Sequence, residues 1–408
     1  MKPNFRYMDR PALEPAPGCE WASKMVLNPA IVKDPESDTI HMLFRATGPW
    51  SQKRREGCHD PYPIFLGYAK SEDLGRTWEA DFSRPALAPA LGYEEQELYT
   101  TDIRGRKVRN YANGCIEDPR IFEVEGELYL SVACRPFPPG PYWLADQDPP
   151  VETRYEYVPD WVHRKSDEDP FIKSARANNT VTVLYKLNLD ELKKRNYDAA
   201  FQYAGPLTEG HVSDNRDVFL FPERMRIGGK MQYVMLHRPW NPKPFDQGER
   251  LDNPSMYLAA AESLEGFGSG KATHRFLATS KFDWEKDRVG ASWPPIKIGD
   301  GEWLVSYHGK KDIHFGYTQS FMILKEQDHD FPAIIHRCSE RLMYVERDWE
   351  MPADYPTPCL FTTGGIVIGD DLIMSYGAAD QKIGIARVNL SELVSYVRKF
   401  DENGNKTG

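Results

Sequence analysis

The sequence predicts an all-β protein, a five-bladed β-propeller with four-stranded antiparallel blades around a central mouth. Three observations lead to this fold class. A strand–turn–strand unit recurs five times along the 408 residues, a third strand follows each copy, and 32 Pro and 30 Gly are scattered along the chain. Repeated units of a few short strands are typical of propellers, and scattered turn residues are typical of short strands joined by tight turns.

Each unit consists of an apolar strand that opens on a polar residue, a turn rich in Gly or acidic residues, and a second strand that ends on a polar residue. The first strands open at Asn28, Glu117 and Asp118, Arg216 and Asp217, Ser292, and Thr362 and Thr363. The third strands lie within 65–74, 183–192, 256–265, 321–330 and 383–392. We place the blades at about 21–85, 112–192, 212–280, 288–346 and 358–400 of a single domain, residues 1–408. The N-terminal segment is expected to complete the last blade.

The alternative architecture is a β-sandwich built from many hairpins. A sandwich gives no reason for five matching units, so the repeat favours the propeller. Helices should be few, and the segment 391–400 is one short candidate. The stretches 49–63 and 136–170 are interpreted as long loops over the mouth.

Composition and charge exclude several classes of function. The net charge of −10 disfavours nucleic acid and anionic lipid as partners. No stretch approaches the apolar length of a membrane span, and the N-terminus lacks the apolar core of a signal peptide. The six cysteines lie far apart without a CxxC pair, which favours reduced thiols in a cytoplasmic protein. Zinc-protease, nucleophile-elbow and nucleotide-binding motifs are absent, so we expect neither a metal nor an organic cofactor.

Polar residues recur at the strand ends that would surround the mouth. One charged strand end is usually only solvated, but the same placement in every unit predicts a pocket lined by carboxylates, arginines and aromatic rings, as sugar-binding sites are. The candidate substrate-binding residues are Asn28, Arg45, Arg120, Asp217, His237, Tyr307, His308 and Asp380.

The segment 116–120, IEDPR, is the sharpest candidate for catalysis. Cleavage of a glycosidic bond needs an acid that protonates the leaving oxygen. Asp118 could supply that proton if desolvation raises its pKa. The alternative is structural, with Asp118 capping a turn and Arg120 pairing with it. The motif alone does not decide between the two.

Three cations are candidates for an anion site: Arg216, Arg238 and Lys297. Arg grips phosphate with a planar fork, whereas Lys acts as a point charge. One acid and three cations around a mouth suit a reaction in which phosphate is the nucleophile. The alternatives are a structural ion pair for Arg238 and an exposed strand position for Lys297.

These residues resemble glycoside hydrolase family 130, the β-mannoside phosphorylases and related β-mannosidases. The resemblance covers nearly the whole chain, and the order of its motifs is specific. Its markers are NPAIV at 28–32, LFRA at 43–46, GYAKSEDLGRTW at 67–78, IEDPR at 116–120, NRDVFLFPER at 215–224, LHRP at 236–239, PPIK at 294–297, SYHG at 306–309 and YGAAD at 376–380.

The resemblance implies a five-bladed propeller and inverting phosphorolysis of a β-mannoside. Inorganic phosphate, the co-substrate, attacks the anomeric carbon of an oligosaccharide and releases α-mannose 1-phosphate and a shortened acceptor sugar. The acid is Asp118, acting through a hydroxyl of the mannose, while Arg216, Arg238 and Lys297 bind phosphate and Asn28, Arg45 and Asp380 contact the mannose or shape its subsite. A homo-oligomer is compatible with the sequence.

Two departures from the family pattern stand out. Asp217 occupies a position where some members have Asn, and an acid there could weaken phosphate binding or orient the arginine. Trp293 replaces part of a glycine-proline run and is expected to add a stacking surface. Two alternative functions stay open: an inverting β-mannosidase that uses water, and a propeller that only binds carbohydrate. The three cations favour phosphorolysis.

Overall fold

The computed structural model describes residues 1–49, 63–139, 158–351 and 357–407, together with the strand backbone at 54–55 and 58–59. Most of the stretch 49–63 and residues 140–157 of the stretch 136–170 therefore lie outside the described residues. Both stretches were predicted as cover over the mouth.

Five antiparallel sheets form the blades, which confirms the predicted fold class. After β1 (Arg6–Tyr7), the first blade contains β2 (Met25–Lys33), β3 (Ile40–Thr47), β6 (Phe65–Ser71) and β7 (Glu79–Asp81), with the small hairpin β4 (Arg54–Arg55) and β5 (Cys58–His59) between β3 and β6. A second small hairpin, β8 (Tyr99–Thr101) and β9 (Lys107–Arg109), precedes the second blade, which contains β10 (Cys115–Val124), β11 (Glu127–Arg135), β12 (Val181–Leu187) and β13 (Phe201–Pro206).

The third and fourth blades have an innermost strand that is interrupted. The third contains β14 (Asn215–Leu220), β15 (Met225–Ile227), β16 (Lys230–Pro239), β17 (Met256–Ala261) and β18 (Thr273–Ala278). The fourth contains β19 (Arg288–Ala291), β20 (Ile296–Gly299), β21 (Glu302–Lys310), β22 (Tyr317–Gln327) and β23 (Asp330–Arg337). Pro222, and Pro294 with Pro295, stand at the two interruptions, because proline has no N–H for the ladder.

The fifth blade is completed by the N-terminal strand. It contains β24 (Leu360–Ile368), β25 (Asp371–Ala378) and β26 (Lys382–Asn389), and β1 pairs with β26 through Arg6 with Arg387 and Tyr7 with Ala386. The innermost strands then contact one another in ring order, from β24 through β2, β10 and β14 to β19.

Apolar side chains fill the space between the blades. Large rings such as Trp303 and Tyr68 are fully buried there. Trp293 is also fully buried and packs beside Phe321. The expected stacking surface at Trp293 is therefore wrong, because the indole points into the core. The five cysteines whose side chains the structure describes are free thiols.

Six short helices accompany the strands in the described part of the chain. They are α1 (Asp160–Arg164), α2 (Pro170–Ala177), α3 (Leu189–Lys193), α4 (Tyr197–Ala200), α5 (Leu264–Gly268) and α6 (Leu390–Val397). Helix α6 confirms the predicted C-terminal helix. Helix α1 and the start of α2 lie in the stretch predicted as loop, where Val162 and Phe171 pack on Phe137. Among the described residues, none of these helices has the length and apolar character needed to cross a bilayer.

Candidate active site

The innermost strands of the first three blades break register at the same place. The pairing shifts between Leu27 and Ala30, between Glu117 and Arg120, and between Arg216 and Phe219. At each shift one residue has a positive φ, 45° at Asn28, 49° at Asp118 and 56° at Asp217. Asn and Asp tolerate this left-handed conformation better than other non-glycine residues. Because a bulge re-aims a side chain, three polar groups leave the regular alternation of their strands at the same level of the ring.

Arg120 connects the bulges at Asp118 and Asp217. Its Nη1 donates to the main-chain oxygen of Asp118 at 3.0 Å, its Nε to that of Ser292 at 2.9 Å, and its Nη2 to Oδ1 of Asp217 at 2.9 Å. The side chain is only 2% exposed. Each nitrogen of the guanidinium is thus engaged and the side chain is almost fully buried, so Arg120 orders the bulges, and its predicted contact with substrate stays a prediction.

Asp118 lies among polar groups of the first blade. Its Oδ1 accepts hydrogen bonds from Nδ2 of Asn28 at 2.8 Å and from Nη1 of Arg45 at 3.1 Å. The structure therefore brings these three predicted residues together. The structural alternative for Asp118, a direct carboxylate pair with Arg120, is not what forms, because Arg120 binds the Asp118 main chain instead.

The cations around Asp118 decide its ionisation. Burial alone would raise the pKa of Asp118, but Arg45, Arg120, the hydrogen bond from Asn28 and Arg216 together hold that pKa below its ordinary value. The expectation that desolvation raises the pKa of this carboxyl is thus wrong for the ligand-free protein. Asp118 is a carboxylate there, and it must acquire a proton before it can act as an acid.

Asp380 is the second carboxyl at this level and behaves in the opposite way. Burial raises its pKa against the effects of Arg45 and a hydrogen bond with Cys359, and the neighbouring charge of Asp118 raises it further. Lys310 is a further cation that acts on Asp380. Two carboxyls that interact and shift apart are a common feature of acid–base sites.

Glu117 lies between Arg45 and Arg216. Its Oε2 lies 3.0 Å from Nη1 of Arg45 and 3.7 Å from Nη1 of Arg216, and its side chain is 1% exposed. Asp214 lies 3.4 Å from Nε of Arg216. Buried carboxylates therefore fix the orientation of Arg216.

Arg238 is the side chain best placed to bind an anion. Its Nε donates to Oδ2 of Asp217 at 2.5 Å, and its side chain is 5% exposed. Its Nη1 is buried and has no hydrogen-bond partner among the residues that the structure describes. A buried guanidinium N–H without a partner costs free energy unless a ligand fills the position. Asp217 thus orients the arginine, one of the two effects considered from the sequence.

Arg288, which the sequence analysis did not single out, adds a third cation. The charge of Arg216 acts on the Arg288 guanidinium, so the two cations lie in the same region. Nη1 of Arg288 donates to the Tyr317 hydroxyl at 3.4 Å, and its Nη2 lies 2.6 Å from Oδ2 of Asp287. The side chain is 15% exposed.

Lys297 lies apart from this group. Its Nζ pairs with Oε2 of Glu223 at 2.5 Å and lies over the Trp303 ring, and its side chain is 43% exposed. It stands on β20, near the turn at Gly301 that ends the hairpin away from the bulges. The prediction that Lys297 belongs to the anion site is therefore not supported by its position, and the exposed-strand alternative describes it.

Three further predicted contacts lie in different surroundings: Tyr307, His308 and His237. Tyr307 is fully buried and donates to the main-chain oxygen of Cys338 in the core, so its predicted contact with substrate is wrong. Its neighbour His308 points to the other face, 3.4 Å from Asp217, because successive residues of a strand alternate. Burial lowers the pKa of His308 to about 3, which leaves it neutral. His237 is buried beside His274 at 3.1 Å and away from the bulges.

The residues missed from the sequence are Arg288, Lys310 and Tyr317, whereas Glu117 was noted as a polar strand start without a role of its own. A signal existed for Arg288, because RVGA at 288–291 is a short apolar strand that opens on a cation. The adjacent PPIK motif predicts a strand that starts at Ser292, whereas the innermost strand starts four residues earlier. Lys310 reaches the site from the second strand of the blade and Tyr317 from the third, where nothing in the pattern marks them.

The fold and the site define a propeller whose centre holds a buried acid opposite a group of cations, an arrangement suited to a sugar and an oxyanion. A family model described as beta-1,4-mannooligosaccharide phosphorylase, that of glycoside hydrolase family 130, matches residues 173–399. The match spans more than half of the chain, and the chain therefore belongs to glycoside hydrolase family 130.

Individual relatives agree with this assignment. The chain is 26% identical over 391 residues to the 1,2-beta-oligomannan phosphorylase of Thermoanaerobacter sp. (strain X514), covering 95% of this chain and 98% of the relative. It is 26% identical over 383 residues to the beta-1,2-mannobiose phosphorylase of the same strain, covering 93% and 95%. The solved structure of beta-1,2-mannobiose phosphorylase from Listeria innocua, in complex with beta-1,2-mannobiose, superposes with a TM-score of 0.63 at 18% identity, covering 97% of this chain and 99% of that chain. This last likeness supports the fold.

Proposed function

We propose that the chain is a β-mannoside phosphorylase that cleaves an oligosaccharide with inorganic phosphate, with inversion, to give α-mannose 1-phosphate and a shortened acceptor. The observation that carries the proposal is the buried N–H of Arg238, which lacks a partner among the described residues. Arg238 pairs in register with Arg216, whose charge acts on both Arg288 and Asp118. A bound anion accepts a hydrogen bond from this N–H and offsets the charge of the arginines, whereas a neutral water molecule offsets no charge.

Each group has a place in the reaction. Arg216, Arg238 and Arg288 hold the phosphate, one oxygen of which forms a bond to the anomeric carbon. The bond from that carbon to the acceptor oxygen breaks at the same time, and the electron pair stays on the acceptor oxygen. That oxygen receives a proton from Asp118, relayed by a mannose hydroxyl as the family resemblance implies. Asn28, Arg45 and Asp380 are the proposed mannose contacts.

Phosphate binding also prepares the acid. Arg216 is one of the cations that hold down the pKa of Asp118. A phosphate dianion beside Arg216 offsets its charge, and an added negative charge raises the pKa of a nearby carboxyl. Asp118 therefore gains its proton as phosphate binds, and the ionised state of the ligand-free protein is no obstacle to acid catalysis.

The test of this function is phosphate dependence. Purified protein incubated with β-1,2- and β-1,4-mannobiose is expected to release mannose 1-phosphate in proportion to phosphate until the site saturates, and to make oligosaccharides from mannose 1-phosphate and acceptor sugars in reverse. Free mannose released at one rate with and without phosphate would support the β-mannosidase alternative. Binding of mannobiose without turnover in either assay would support the propeller that only binds carbohydrate.

Arg288→Ala and Lys297→Ala distinguish the two candidates for the third cation. Loss of a charge-assisted hydrogen bond to phosphate is expected to raise the phosphate KM of Arg288→Ala by roughly 10-fold or more. Lys297→Ala should leave that KM within about two-fold, because surface ion pairs contribute little. The measurement is initial rate against phosphate at saturating mannoside. A raised phosphate KM in Lys297→Ala alone would restore the original assignment.

The remaining sequence-based expectations are also proposals. The substrate is an oligosaccharide, and the reduced cysteines favour a cytoplasmic location. A homo-oligomer and the lack of any cofactor beyond inorganic phosphate stay predictions.

A further inference from the structure

Trp240 is attached to the cationic side of the site by its main chain. It directly follows β16, two residues after Arg238, and its backbone N–H donates to the main-chain oxygen of Asp214 at 2.7 Å. The residue is 41% exposed, and the other tryptophans in the described ranges are buried or half-buried. An exposed indole needs an explanation, since burying it elsewhere would be favourable.

The ring covers Arg288. The guanidinium carbon of Arg288 lies 4.4 Å from the centroid of the Trp240 ring. This is a cation–π contact, which is strongest with Trp and grows as the cation loses water. The Arg288 side chain is only 15% exposed against 41% for Trp240, so the indole is the outer layer and the guanidinium the inner one.

The other partners of Arg288 restrain it incompletely. Asp287 accepts from its Nε at 2.7 Å and lies 2.6 Å from its Nη2, but that carboxylate is itself 39% exposed. The hydrogen bond from its Nη1 to Tyr317 is long at 3.4 Å. A long side chain that must be ordered when a ligand binds loses affinity through entropy. A flat ring stacked on the guanidinium removes that cost in advance without using any in-plane N–H group, so those that Asp287 and Tyr317 do not occupy can still donate.

We propose that Trp240 is a positioning residue of the phosphate site, whose indole holds Arg288 in the orientation that receives the anion. This inference rests on the proposed function, in which Arg288 binds phosphate. The other role of an exposed ring near sugars is stacking on the acceptor sugar. In an inverting displacement the nucleophile and the leaving sugar lie on opposite sides of the anomeric carbon, so a ring that touches a phosphate-binding cation lies on the phosphate side.

The test is calorimetric titration of inorganic phosphate into the full chain, without turnover. Trp240→Ala is expected to raise the phosphate Kd by about 10-fold, the change that roughly 1.4 kcal/mol of cation–π energy produces. Trp240→Phe, which keeps a ring, should raise it less. A matched control is Tyr344→Ala, which removes a similar stack under Arg341 that shares no residue with the site.

A double variant separates positioning from general damage. In Arg288→Ala the further change Trp240→Ala should add less than two-fold, because the ring then has no guanidinium to hold. Equal additive losses, or a wild-type Kd in Trp240→Ala, would overturn the inference. So would an unchanged phosphate Kd with a raised acceptor KM in the reverse reaction, which would make the ring an acceptor platform. If phosphate binding weakens as expected but no phosphate-dependent turnover occurs, the proposed function fails and the positioning role stands.

Discussion

Asp118→Asn is expected to lower kcat for phosphorolysis by about 10²–10⁴-fold, the usual contribution of a positioned acid. The amide has the size of the carboxyl and tolerates the positive φ of 49° at this position. Its oxygen can still accept from Asn28 and Arg45, so the fold should survive. The measurement is single-turnover and steady-state kinetics with mannobiose, and Asp198→Asn, at an exposed carboxylate, is the matched control.

The identity of the leaving group sharpens this experiment. The leaving group of a dinitrophenyl β-mannoside is dinitrophenolate, a stable anion that departs without a proton. Asp118→Asn should therefore lose far less activity on this substrate than on mannobiose. A loss of the same size on both substrates would mean that Asp118 acts through structure. Activity retained on mannobiose would remove Asp118 from the chemistry altogether.

Asp217→Asn is expected to destabilise the protein by about 3 kcal/mol, because removing one partner of a buried ion pair leaves uncompensated charge. Asp217 binds both Arg120 and Arg238 and its side chain is 2% exposed. The measurement is urea unfolding at neutral pH. Glu262→Gln, which breaks an exposed pair with Lys230, is the control and should change stability by less than about 1 kcal/mol.

The pH dependence gives a second readout at Asp217. Burial alone would raise the pKa of Asp217, but the charges of Arg238 and Arg120 hold it well below its ordinary value. A group with a depressed folded-state pKa contributes stability above its unfolded value, near 3.9, and loses it as pH falls through the folded value. The gap between wild type and Asp217→Asn should therefore be constant near neutrality and shrink below about pH 4. A gap that does not shrink in acid would contradict the assignment.

The fold was predictable because it depends on local patterns. Each of five turns rich in Gly or Asp, such as the one at Gly369 and Asp370, predicts a hairpin of two strands without long-range information. The pairing of β1 with β26 was expected from the repeat count alone. Helix α1 was not, because its five residues lie in a stretch rich in Pro and acidic residues, where tertiary packing of Val162 decides the conformation.

The candidate site was predictable only in part, for geometric reasons. Asn28, Arg45, Asp118, Arg216 and Arg238 come together because the bulges lie at one level of the ring. Lys297 and Tyr307 do not, since strand alternation and the interruption at Pro294 set the facing of each residue, and neither is visible in a motif. The depressed pKa of Asp118 could not be foreseen either, because it depends on cations from three separate strands.

The pairing of Arg6 and Tyr7 with β26 has a consequence for synthesis of the protein on the ribosome. Their partners, Ala386 and Arg387, are made about 380 residues later. At 5–20 residues per second the first strand waits roughly 20–80 s before it can dock. Until then β1 has no partner strand and the ring of blades is open, which makes this last pairing the slow and aggregation-prone step of folding on the ribosome.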